Sequence, residues 1–311
     1  MPMPPIDPEL EYAHPEFDPA SILSHENLEK IREYRWDPPI AEMVASLGLE
    51  MTTHEVLSYD GEPIVVSVFR REGSTNNAAP AFFNVHGGGM VSGRATYWLD
   101  HVLRWVVEYD ALAATVEYRL APEHPDPTPL EDVYAALSWF ARSHPVSRVI
   151  VVGESAGGGL AAGAVLLARD RGGPTVAAQL LHCPMLDDRD RTISSRQTVD
   201  GVPWTRSDND FGWNALLGER RGTDRVSGYS APSRMVDLTG LPPTFMDVGS
   251  VDLFRDEVVE FASRIWEGGG DAELHVWAGG VHSFTWWKPT AAISLAATAA
   301  SDDWVGRQIR R

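Results

Sequence analysis

Three residues of this chain have the types and the order that nucleophilic acyl chemistry needs: Ser155, Asp252 and His282. A serine hydroxyl attacks a carbonyl poorly until a neutral imidazole takes its proton. The imidazole in turn needs a carboxylate to orient it and to stabilise its cation. Ser155 stands in Gly153-Glu154-Ser155-Ala156-Gly157, with a glycine two residues to either side. In a sharp turn between strand and helix that spacing pushes Oγ outward, and a Cβ at either glycine would collide with the facing backbone. His282 lies in the glycine-flanked Ala278-Gly279-Gly280-Val281-His282-Ser283-Phe284, just beyond the last core strand. Asp252, in Gly249-Ser250-Val251-Asp252-Leu253, falls between the two in the order serine, acid, histidine. Asp247 reads as a strand residue turned toward a helix layer. Asp256 is the second choice of acid, although it and Glu257 suit the start of the following helix better.

A tetrahedral intermediate also needs donors for its oxyanion. His86-Gly87-Gly88-Gly89 follows a predicted strand, and glycines there let backbone N–H groups approach a charged oxygen closely. Gly87 and Gly88, with the N–H of Ala156 after the serine, are the expected oxyanion hole. One such donor is worth on the order of 3 kcal/mol. His86 reads as a buried brace for this loop. A phosphate cradle does not fit, because the G-K-[ST] ending of a P-loop is missing. No metal or organic cofactor is expected: none of the ten histidines forms an H-x-x-x-H pair. The single cysteine, Cys183, can form neither an intrachain disulfide nor a cysteine-based zinc site, and its apolar run reads as a buried thiol.

The elements that must hold these residues follow from periodicity. Strands are predicted at Pro80–Val85, Ala111–Tyr118, Val146–Val152, Val176–His182, Pro243–Gly249 and Glu273–Trp277. Helices are predicted at Thr96–Tyr109, Leu130–Ser143, in the Ala- and Leu-rich stretch after Ser155, at Glu257–Gly268 and at about Ala291–Arg307. That alternation predicts an α/β fold with a mostly parallel central sheet covered by helices on both faces. Thr53–Arg71 alternates about a Ser58–Pro63 turn and predicts a hairpin. Helix-like spacing from Pro19 to Leu49 (Ile22, Leu23, Leu28, Ile31, Tyr34, then Ile40 to Leu47) predicts helices over residues 1–50. Residues 51–311 then form the catalytic domain. Asp187–Leu238 carries no strand pattern but holds Trp204, Phe211 and Trp213, and an excursion of that length reads as an inserted lid.

Composition sets outer limits. A formal net charge of −18 disfavours nucleic acid and anionic membrane surfaces. The absence of a basic-then-apolar leader and of any stretch of membrane-spanning length predicts a cytoplasmic chain with no stable membrane insertion.

In these motifs the chain resembles the hormone-sensitive-lipase-like branch of the α/β-hydrolases. His86-Gly87-Gly88-Gly89 resembles that family's oxyanion signature, and Gly153-Glu154-Ser155-Ala156-Gly157-Gly158 its nucleophile elbow. Tyr118-Arg119-Leu120-Ala121-Pro122-Glu123 resembles the segment after the next strand, and Asp252–Glu257 the acid segment. Leu253 stands where that segment usually has proline, and Ser283 where His-Gly-Phe is usual. The resemblance favours Asp252 over Asp256. It implies a cap made by the N-terminal helices and the insertion, and a serine carboxylesterase acting on short- to medium-chain acyl esters. A small-molecule ester is then the expected partner, with a homodimer through edge strands or the last helix as members often form. Met90, where many members carry an aromatic residue, implies a differently shaped acyl pocket. Trp204, Phe211 and Phe284 are the expected substrate-binding side chains. Two other readings share the motifs. One is different acyl chemistry (amidase, formamidase, lactonase or acetyltransferase). The other is a ligand-binding role like that of the gibberellin receptors, which lack the working histidine.

Overall fold

The computed structural model describes residues 2–10, 23–33, 39–197 and 202–311. Ile22 and Tyr34, two positions of the predicted N-terminal helical pattern, lie outside these residues. Within them the first helices are α1 (Leu28–Glu33) and α2 (Ile40–Ser46). The predicted hairpin is present as β1 (Leu49–Leu57) and β2 (Pro63–Arg71), paired antiparallel. The alternation then runs β3 (Pro80–Val85), α3 (Asp100–Tyr109), β4 (Leu112–Glu117), α4 (Thr128–Ser143), β5 (Arg148–Glu154), α5 (Ala156–Arg171) and β6 (Ala178–His182). After an excursion holding α6 (Arg206–Leu217) come β7 (Thr244–Gly249), α7 (Arg255–Glu267), β8 (Ala272–Trp277), α8 (Phe284–Trp287) and α9 (Ala292–Arg310).

The eight strands form one sheet in the order β1-β2-β4-β3-β5-β6-β7-β8, parallel from β4 onward and antiparallel at β1 and β2. This is the mostly parallel, helix-covered sheet that the alternation predicts. Successive strand side chains point to opposite faces, and each core strand feeds two apolar layers. Val149 and Val151 of β5 enter the core with α4, α5 and α7, whereas Ile150 and Val152 enter the core with α3 and α9. The same parity divides Phe83 from Phe82 on β3 and Met246 from Phe245 on β7. Burial on both faces explains why these strands read as continuous apolar runs.

Element boundaries shift where backbone geometry overrides propensity. The helix predicted from Thr96 starts at Asp100, because Trp98 takes φ 53° and cannot continue a right-handed helix. The four-residue α8 was not predicted; Ser283, at φ 53°, turns the chain into it. Among the described residues no helix is long and apolar enough to cross a membrane.

Candidate active site

The chain reverses sharply where β5 meets α5, and Ser155 sits at that reversal with φ 57° and ψ −124°. A non-glycine residue in such a conformation costs on the order of 1–3 kcal/mol and persists only when its surroundings dictate it. Here the Ser155 N–H donates to the His182 carbonyl (2.9 Å), and the Ser155 carbonyl accepts from the N–H of Met185 (2.9 Å) and of Gly159 (3.1 Å). The two flanking glycines are obligatory. A Cβ at Gly153 would lie 2.4 Å from the Gly157 carbonyl oxygen, and one at Gly157 would lie 2.1 Å from that of Val85.

The carboxyl ends of β7 and β8 deliver the other two groups. His282 Nε2 is 2.9 Å from Ser155 Oγ, and His282 Nδ1 is 2.8 Å from Asp252 Oδ2. Asp252 is itself held, with Oδ1 accepting the Phe254 N–H at 2.9 Å. All three side chains are buried, at 2% (Ser155), 2% (Asp252) and 6% (His282) exposure, so their mutual hydrogen bonds face little competition from water. With the Nδ1 proton facing Asp252, Nε2 presents its lone pair to the serine hydroxyl, the tautomer that proton abstraction requires. Burial works against the His282 cation, yet neighbouring Cys183 and Asp252 raise its pKa well above the ordinary histidine value. Burial pushes the Cys183 thiol up as well.

The competing carboxylates are otherwise engaged. Asp247 lies within β7, binding His182 Nδ1 (2.7 Å) and accepting from Trp277 Nε1 (3.0 Å). Asp256 sits in the first turn of α7, accepts the Ser194 N–H (2.8 Å) and pairs with Arg255 (2.7 Å). Glu257 is buried and accepts the N–H groups of Leu186 (2.7 Å) and Asp187 (3.2 Å), and burial pushes its pKa well above the carboxylate range.

The glycine loop after β3 lies against the elbow. His86 is fully buried and stacks on Tyr118 with ring centroids 4.1 Å apart, while its Nδ1 is 2.8 Å from the Gly87 carbonyl. Burial lowers its pKa to about 4, so it is a neutral brace and no base. Gly87 gives room to the Trp98 ring and Gly88 (φ 108°) to the Ser92 carbonyl. Gly89 (φ 64°) lies under Trp204, and a Cβ there would come within 2.1 Å of the indole. Ala156 opens α5, where its N–H has no intrahelical acceptor.

The expected substrate-binding residues divide. Trp204 stands over Gly89 with its ring 6.2 Å from that of His282. Phe211 is half-buried, edge-on to His25 at 5.0 Å. Met90 is packed in the main core, and Phe284 in a satellite cluster with Leu10, Val202 and Val281.

Two features were not legible in the sequence. Cys183, φ 35°, follows β6, and its Sγ, a ligand-type atom of Asp252 and a ring nitrogen of His282 all lie within 4.8 Å of one another. Arg32 of α1 donates to the carbonyls of Val91 (2.8 Å) and Ala121 (2.9 Å) and forks onto Glu123 (2.9 and 2.8 Å), fastening the N-terminal segment to the glycine loop. The inserted segment joins this assembly, since Asp208 Oδ1 accepts the Leu23 N–H at 2.7 Å.

Comparisons with known proteins bear on the fold and the family. The family profile described as alpha/beta hydrolase fold matches residues 82–286. The chain is 31% identical over 294 residues to carboxylesterase NlhH of Mycobacterium tuberculosis, covering 87% of this chain and 86% of that protein. It is likewise 31% identical over 229 residues to esterase LipI of the same organism, covering 72% and 70%. Among solved structures, a bacterial heroin esterase superposes with a TM-score of 0.86 at 34% identity, over 98% of both chains.

Proposed function

The chain belongs to the α/β-hydrolase family, in its hormone-sensitive-lipase-like branch, and is a carboxylic ester hydrolase; from that premise we propose that it cleaves short- to medium-chain acyl esters through Ser155, His282 and Asp252. His282 Nε2 takes the Ser155 proton as Oγ attacks the ester carbonyl, and Asp252 holds the imidazole and stabilises its cation. The N–H groups of Gly87, Gly88 and Ala156 receive the oxyanion. His282 then gives its proton to the departing alcohol oxygen, leaving an acyl-serine. Water then attacks the acyl carbonyl as His282 Nε2 takes its proton, and His282 returns that proton to Ser155 Oγ as the acyl–oxygen bond breaks and the acid is released. The observation that carries this reading is the unbroken buried line Ser155 Oγ–His282 Nε2 (2.9 Å) and His282 Nδ1–Asp252 Oδ2 (2.8 Å).

The N-terminal helices and the segment 187–238 act as the cap over this line, supported by the Leu23–Asp208 hydrogen bond and by Trp204. An indole pressed on Gly89 leaves limited room above the glycine loop, which favours short acyl groups. Hydrolysis of p-nitrophenyl esters from acetate to decanoate tests both parts. The expected result is a short-chain optimum, with Ser155→Ala reducing kcat by about 10⁴-fold or more. A folded wild type inert on every ester, or an equally active Ser155→Ala protein, contradicts the assignment.

A further inference from the structure

A cavity of about 520 Å³ lies on the flank of the sheet, walled by residues of α3 and α9 and reaching inward to Glu154 and His182. Strand parity explains its inner end. Ile150 and Val152 of β5 face α3 and α9, so Glu154 is the next residue of that series, and His182 follows Leu180 on β6 in the same way. Glu154 is only 5% exposed, and its Oε1 has no hydrogen-bond partner among the described residues. His101 of α3 lines the same cavity with a buried, unpartnered Nε2. Its Nδ1 lies 3.9 Å from the Asp100 carboxylate, and with the proton on Nδ1 the Nε2 atom is an acceptor.

Two buried acceptors without donors therefore face one cavity. Its aromatic wall is Trp98 and Trp286, ring centroids 5.7 Å apart and inclined at 56°. The Trp98 indole N–H is unpartnered as well and is the one donor of the three. Other charges at the cavity are matched: His182 by Asp247 at 2.7 Å, and Arg104 by Asp302 at 3.6 Å. Among the described residues Glu154 forms no ion pair of its own; burial pushes its carboxyl up to about 7, and the charge of His182 partly offsets that. Buried acceptors, an acidic group and indole faces together suit a hydrogen-bond-donating organic cation.

We propose that this cavity binds a primary alkylammonium group, with its N–H donors on Glu154 Oε1 and His101 Nε2 and its charge against the Trp98 and Trp286 rings. The group can arrive as a free amine or as the amino end of an ester's acyl chain. The second route rests on adjacency: the Trp98 ring, one wall of the cavity, packs against Gly87, and Glu154 immediately precedes Ser155.

Titration of the full chain with n-butylammonium, followed by tryptophan fluorescence and calorimetry, tests this, with 1-butanol as the uncharged control. Saturable binding is expected, weakened about tenfold or more for butanol and for Glu154→Gln. Glu154 adjoins the elbow, so His101→Phe on α3 provides a second variant, expected to weaken binding by a similar factor with an unchanged near-UV circular dichroism spectrum. Comparing p-nitrophenyl 6-aminohexanoate with hexanoate then identifies the source. A higher kcat/KM for the amino ester, with butylammonium as its competitor, assigns the site to the acyl chain. Amine binding that leaves both esters unaffected assigns it to a free ligand. No saturable binding, equal binding of butanol, or unchanged binding in both variants overturns the proposal. The titration needs no hydrolysis, so a protein that binds the amine yet cleaves no ester would sink the triad reading alone.

Discussion

Ser155 is held in a left-handed backbone conformation by three main-chain hydrogen bonds, and the pattern that imposes this is the part of the site most visible in the sequence. Gly153 and Gly157 are glycines because carbonyl oxygens occupy the space of a Cβ, a requirement that leaves a spacing anyone can read. Asp252 and His282 are legible for a related reason: each follows a strand end in the order that the sheet topology demands. Cys183 was readable as a buried thiol, but its neighbours and those of Glu154 were not, since they come from the pairing of β5, β6 and β7 and leave no local signature. The electrostatics yield a pH prediction with a definite sign. His282 must be neutral to act as base, and Cys183 and Asp252 raise its pKa although burial opposes that. The acid limb of kcat/KM should therefore have its midpoint above the ordinary histidine value of about 6.5. Asp252→Asn removes one of the two raising neighbours and leaves burial, so the limb should move down in pH while kcat falls on the order of 10³–10⁴-fold. A pH–rate profile of both proteins checks this; a limb that stays in place in the variant assigns the ionisation to another group.

Helices and loops set how firmly the reactive atoms are held. The guanidinium of Arg32 joins α1 to the carbonyls of Val91 and Ala121 and to Glu123, whose pKa it lowers to about 2. Arg32→Ala leaves two carbonyls of buried residues without that donor and should cost about 1–3 kcal/mol of stability. Arg32→Lys keeps the charge but loses the planar fork, so its loss should be intermediate. Chemical denaturation of the three proteins measures the order; equal midpoints would show that the strap carries no load. The helical spacing around Leu28 and Ile31 signalled this segment, but its target did not, because a strap is defined by where it lands. The start of α3 was misplaced for a comparable reason. Residues from Thr96 favour a helix locally, and the packing of Trp98 against Gly87 forces a positive φ that ends that option.

Across the whole molecule, two apolar layers enclose one sheet, and strand parity decides which layer each side chain enters. That architecture was readable because burial on both faces writes long apolar runs between helices of regular length. The acidic surface was equally plain. With a formal charge of −18 and an isoelectric point near 4.9, the protein should lose solubility as pH falls toward 4.9. Turbidity against pH should peak there, and a flat trace across that range would contradict it. The central claim, however, is that an acyl group passes through Ser155. A fluorophosphonate label followed by peptide mass spectrometry tests this most directly, because such a reagent marks only a serine made nucleophilic by a neighbouring base. One adduct is expected, on the peptide carrying Ser155, with none in Ser155→Ala and ester turnover lost in proportion to labelling. An adduct on another residue, or full turnover by the labelled protein, would contradict it.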